Sequence, residues 1–83
     1  VPGMKEGLDW AKNGQYANAI SEFQKATSDP NEGHLAWFNI GVCHEAMKSY
    51  SAAIQAYEQS LQIRHNEPSV QSVARIRRYH PGN

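Results

Sequence analysis

Cysteine is nearly absent from this chain: its 83 residues hold one, Cys43. No internal disulfide can form, which fits a reducing compartment and sets the cytoplasm as the expected location. No apolar run approaches the roughly 18 residues of a membrane span, and the first residues lack the basic-then-apolar order of a secretory signal. A soluble chain without membrane contact is expected. Low-complexity tracts and runs of like charge are missing too, and 40% hydrophobic with 19% charged residues is the make-up of an ordinary globular domain. The length excludes more than one domain, residues 1–83, and limits burial to roughly 60% of the surface that the unfolded chain exposes.

Net charge is also lacking, with eight Lys and Arg against eight Asp and Glu. The balance hides an asymmetry. Every arginine (Arg64, Arg75, Arg77, Arg78) lies in the last twenty residues, whereas residues 1–63 hold four lysines against seven acids. Near-zero net charge removes repulsion between copies and favours self-association. Val1, Pro2 and Gly3 precede the first methionine, Met4, and read as an appended end on a piece excised from something longer.

What the chain does have is a repeat. Laid over itself at an offset of 34, it pairs Gly7 with Gly41, Tyr16 with Tyr50, Ala19 with Ala53, Ile20 with Ile54, Phe23 with Tyr57 and Ala26 with Ser60. Self-similarity at a fixed period is the mark of a stacked architecture. Each unit splits by period: Gly7, Leu8 and Trp10 precede a break at Asn13 and Gly14, and Tyr16, Ala19, Ile20, Phe23 and Thr27 follow at helical spacing. The second unit repeats this with Trp37, Ile40, Gly41 and His44, then Tyr50, Ala53, Ile54, Tyr57 and Leu61. Asp29 with Pro30 and Glu32 reads as one helix start, and Asn66 with Glu67 and Pro68 as another. The latter opens a last helix with Val70, Val73, Ala74 and Ile76 on one side. Gly7 and Gly41 are placed where paired helices come closest, with Ala19 and Ala53 opposite, since a larger side chain would exceed the ~8 to 10 Å of normal packing. Gly41→Leu is expected to wreck the fold.

A 34-residue helix pair with small residues at these places resembles the tetratricopeptide repeat. The second unit carries nearly the whole signature (Trp37, Ile40, Gly41, Tyr50, Ala53, Tyr57), with Ser60 in the usual alanine place. The first is weaker, with Gly3 at the tryptophan place and Glu6 at the leucine place. The resemblance implies an all-α fold: five helices in a right-handed superhelical stack of antiparallel pairs, with repeat 1 at about 3–31, repeat 2 at about 32–65 and a capping helix at about 67–80.

The resemblance also implies that the first helix of each pair lines a concave face. Consecutive helical residues point about 100° apart, so the adjacent rings of Trp37 and Phe38 cannot serve one neighbour. Trp37 is assigned to the core with Ile40, Gly41 and His44, and Phe38 to the concave side, exposed for a partner. The expected groove is apolar (Met4, Leu8, Ala11, Leu35, Phe38, Val42) with a polar rim of Lys5, Lys12, Asn39 and Glu45. The function this implies is that of a non-catalytic interaction scaffold gripping a peptide or helical segment of another protein. The alternative is homo-oligomerisation through the same surface or through the Val70, Val73, Ile76 face. The members that clamp acidic chaperone tails use lysines, asparagines and an arginine on this face. Here Asn39 stands at one such place, but Met4 and Leu8 occupy others, so carboxylate clamping is not expected.

Catalytic chemistry finds no constellation. Cys43 and His44 are neighbours but diverge on a helix, and no elbow, orienting group or oxyanion donor accompanies them. Cys43 is expected to be a small buried filler and His44 a packing residue. His34, His44, His65 and His80 lack paired metal-ligand spacing. Three arginines near Tyr79 make a thin phosphate footprint and suit the end of a helix, whose dipole they offset. No enzyme activity, cofactor, metal or nucleic-acid partner is expected.

Overall fold

Hydrophobic spacing and turn chemistry divide the chain into hairpins. A computed structural model describes residues 1–82 as five α-helices, α1 Met4–Lys12, α2 Tyr16–Phe23, α3 Gly33–Ala46, α4 Tyr50–Ile63 and α5 Glu67–Tyr79, with a 3-10 turn at Gln24–Ala26. No strand occurs among the described residues. The helices pack in chain order, each against the next. The all-α stack expected from the repeat is the fold observed.

Both hairpin turns use the same device. After α1, the Gln15 N–H bonds the Trp10 carbonyl and the Gly14 N–H bonds that of Ala11, with Gly14 left-handed at φ 76°. After α3, Ser49 bonds His44 and Lys48 bonds Glu45, with Lys48 in that conformation at φ 62°. These paired bonds satisfy the last carbonyls of a helix and reverse the chain. At α5, the Asn66 side chain accepts from the Ser69 N–H and caps the helix, with Pro68 in the first turn. At α3 the expected aspartate cap takes a different form. The Asp29 carboxylate accepts the N–H groups of Asn31 and Glu32, but the intervening residues form turns and the regular helix begins only at Gly33.

The close approach within each hairpin is glycine on aromatic ring. A Cβ at Gly7 would stand 2.5 Å from the Phe23 ring and one at Gly41 2.6 Å from the Tyr57 ring. The atoms nearest each glycine belong to these rings rather than to Ala19 and Ala53, the residues expected opposite. Those alanines are fully buried, but it is the larger rings that need the missing side chain.

Two core clusters result. One joins Ala19, Phe23, Ile40, Cys43 and Ala56; the other joins Ala53, Tyr57, Val73 and Ile76. Trp37 and Phe38 divide between them: both are half-buried, Trp37 against the first cluster and Phe38 against the second. The expectation of a buried indole and a free phenyl ring is corrected accordingly. α5 is the reason, because it covers the side of α3 and α4 on which Phe38 lies. Val73 and Ile76 are buried in that contact, so the α5 face expected as an assembly surface belongs to the core.

Candidate functional site

Two hollows, each of about 480 Å³, lie along the side formed by α1, α3 and α5. Leu8, Ala11 and Lys12 of α1, Tyr16 and Phe23 of α2, and Asn39, Val42, Cys43 and Ala46 of α3 surround the first. Phe38, Val42, Glu45 and Ala46 of α3, Tyr57 of α4, and Ser72 and Arg75 of α5 surround the second. Val42 and Ala46 line both and form the ridge between them.

The first hollow is walled mostly by carbon. Leu8 is 50% exposed and Val42 40%, an unusual investment of aliphatic surface in water unless it is used. Lys12 and Asn39 supply the polar edge. Cys43 is buried at its floor, and burial pushes its thiol up to about 11, which leaves it a weak nucleophile at neutral pH.

The second hollow is built around one acid. The Tyr57 hydroxyl donates to Glu45 Oε1 at 2.8 Å, and Arg75 donates to both Glu45 oxygens at 2.7 to 3.1 Å. Burial raises the Glu45 carboxyl, but the bonds from Arg75 and Tyr57 outweigh it and hold the group below its ordinary range. Tyr57 is pushed far up, by burial first and then by its bond to the Glu45 carboxylate.

Of the residues assigned to the groove, Leu8, Ala11, Lys12, Asn39 and Val42 therefore gather round the first hollow, and Phe38, Val42 and Glu45 round the second. Phe38 is no free anchor, since its ring lies 5.6 Å from that of Tyr57 at 47°. Glu45 is no free rim either, because Arg75 holds it. Met4 is half-buried against the first core cluster, Lys5 pairs with Asp9 at 3.1 Å, and Leu35 is exposed but lines neither hollow. Tyr57, Ser72 and Arg75 of the second hollow lie outside the groove expected from the sequence, as do four residues of the first, Tyr16, Phe23, Cys43 and Ala46. Ala46 has a signal, standing one turn beyond Val42 on the same stripe, whereas Tyr16, Phe23 and Cys43 read as core and are core residues that reach the surface of a cleft.

On the opposite side a smaller hollow of about 260 Å³ lies among Trp37, Ile40, His44 and the side chains of Gln24, Gln55 and Gln59. His44 Nδ1 is buried without a hydrogen-bond partner among the described residues, and burial lowers the pKa of the ring. Among the described residues no three His, Cys, Asp or Glu side chains converge as a metal site would require, and no helix is long and apolar enough to cross a membrane.

Successive antiparallel helix pairs with a cleft on the side of the first helices define a helical-repeat scaffold. Residues 34–67 match the tetratricopeptide repeat. The chain thus carries a repeat of the tetratricopeptide family, whose members mediate protein–protein interactions. It is similar to a chloroplastic protein of Arabidopsis thaliana, at 30% identity over 61 residues, which is 70% of this chain and 18% of that protein. It is also similar to the photosystem I assembly protein Ycf3 of Rippkaea orientalis, at 28% identity over 68 residues, 78% of this chain and 39% of that one. The chain spans well under half the length of either relative. No solved structure matches it.

Proposed function

We propose that this chain is a non-catalytic interaction module that receives a segment of another protein along the cleft of α1 and α3. The observation that carries the reading is the carbon-walled hollow between α1, α2 and α3, where Leu8 and Val42 remain about half exposed beside the buried Gly7, Gly41 and Cys43. Asn39 at its edge is suited to a partner's backbone amide, and the apolar walls to a large side chain, the usual division of labour in a groove that binds a peptide. One relative's name, that of an assembly protein, accords with a module that holds other chains.

The test is capture by the double variant Leu8→Gln, Val42→Gln, which removes apolar wall without adding charge. Wild type should retain a partner that the variant loses, with the melting curve nearly unchanged because both side chains are outside the core. A folded variant that captures the partner equally well would overturn the groove. Light scattering across a concentration series separates this reading from self-association, for which the apparent mass must rise.

A further inference from the structure

We propose that the partner segment is acidic: one bulky apolar side chain enters the first hollow, and an Asp or Glu one or two positions away pairs with Lys12. This rests on the groove reading above and adds the partner's charge to it.

Charge around the cleft is unevenly paired. The other lysines of the first repeat are engaged, Lys5 with Asp9 and Lys25 with Glu22, each at 3.1 Å. Lys12 is exposed at the rim of the hollow and has no carboxylate partner among the described residues. Glu45, the one acid lining either hollow, is held through both oxygens by Arg75 and through one by Tyr57. Two residues beyond Ala46, Lys48 is a second exposed cation without a partner among the described residues. Because α1 and α3 are the corresponding helices of successive hairpins, Lys12 and Lys48 belong to the same end of the cleft. The uncompensated charge there is positive, next to an apolar hole, and complementary potential selects a partner more strongly than it adds affinity.

The same distribution of charge disfavours a second copy. Outside the cleft, the exposed apolar side chains Met47, Ile63 and Tyr79 each adjoin a lysine or arginine in sequence and would bring cations to Lys12, and Val1 and Leu35 adjoin no acid that could pair with it. Trp10 adjoins Asp9, whose carboxylate is already held by Lys5.

Three sets of labelled synthetic peptides test this, each with a central Phe or Leu in a Ser/Gly background flanked by Glu, by Gln or by Lys, titrated by fluorescence anisotropy. The Glu set should bind wild type about two- to five-fold more tightly than the Gln set at low salt, as expected for one exposed ion pair, with the Lys set weakest. The gap should close at about 1 M salt, where the screening length falls to ~3 Å. Lys12→Glu should reverse the order, and Leu8→Gln, Val42→Gln should lose all three sets. Equal affinity for the sets, or an unchanged order in a folded Lys12→Glu variant, overturns the acidic partner and leaves the groove standing. Binding that survives in the folded double variant, or no binding by any set, overturns the groove itself.

Discussion

The Tyr57 hydroxyl donates to Glu45 across 2.8 Å, and Arg75, thirty residues further along the chain than Glu45, closes on the same carboxylate. One acid thereby ties α3, α4 and α5. Its carboxyl is raised by burial and lowered further by these bonds, so its folded pKa lies below the unfolded value. Such a group stabilises the fold above the unfolded pKa, about 4.3, and that stability is lost as pH falls through the folded value. Glu45→Gln keeps the acceptor for Tyr57 but discards the charge. It should cost about 1 kcal/mol at pH 7, modest because Arg75 is half-exposed and screened. In urea titrations the two proteins should converge as pH drops below about 4, and a constant difference down to pH 3 would contradict the assignment.

Lys48 and Gly14 occupy the same turn in successive hairpins, with φ of 62° and 76°. A left-handed L-residue costs about 1–2 kcal/mol, and glycine gives back roughly 0.5–1 through the entropy of the unfolded chain. Lys48→Gly should therefore stabilise by about 0.5–1 kcal/mol. A Cβ at Gly14 would meet nothing within 4 Å, so Gly14→Ala should destabilise by a similar amount through conformation alone. Thermal melts of the pair would show opposite shifts.

How far the sequence foretells this architecture follows from the range of each interaction. Glycine and aromatic residues recurring at an offset of 34 define the hairpins, because close helix packing is local to each repeat. The facing of Phe38 is not legible: its exposure depends on α5, which has Gln71 and Arg75 where the repeat has Trp37 and Gly41, and whose distance in space no periodicity reports. Glu45 escapes for the same reason, since its partner Arg75 lies in another element and reads as a helix-end cation. At α3, the Asp29 cap is legible but the helix start is not, because Pro30 and Asn31 turn the chain once before regular helix begins.

His44 supplies a second pH dependence, of distinct origin. Its Nδ1 is buried without a partner among the described residues and burial lowers its pKa. The unfolded chain therefore takes up the proton more readily, and stability must fall as pH drops below about 6.5, the ordinary histidine value. His44→Phe removes the titration while keeping a ring. The urea midpoint of wild type should drop between pH 7.5 and 5.5 and that of the variant should hold. If both moved together, another group would be responsible.

Ser60 stands where the repeat usually has alanine, and the structure gives the reason. It is fully buried, and its hydroxyl donates to the His34 carbonyl at 2.7 Å while accepting from the Ser69 hydroxyl at 3.2 Å and from Asn66 Nδ2 at 3.1 Å. Asn66 in turn caps α5 through the Ser69 N–H. The serine thus joins the start of α3 to the start of the last helix, and without it the buried Ser69 hydroxyl and the His34 carbonyl would lose these bonds. An unsatisfied buried polar group costs about 1–3 kcal/mol, more than the small gain in helix propensity from alanine, at most ~0.7 kcal/mol. Ser60→Ala should accordingly destabilise by about 1–2 kcal/mol in urea unfolding, although it moves the chain toward the family pattern. Adding Ser69→Ala should cost less than the two single losses combined, because both remove the same bond. A neutral or stabilising Ser60→Ala would mean that the position is governed by size alone and that the hydroxyl network does not anchor α5.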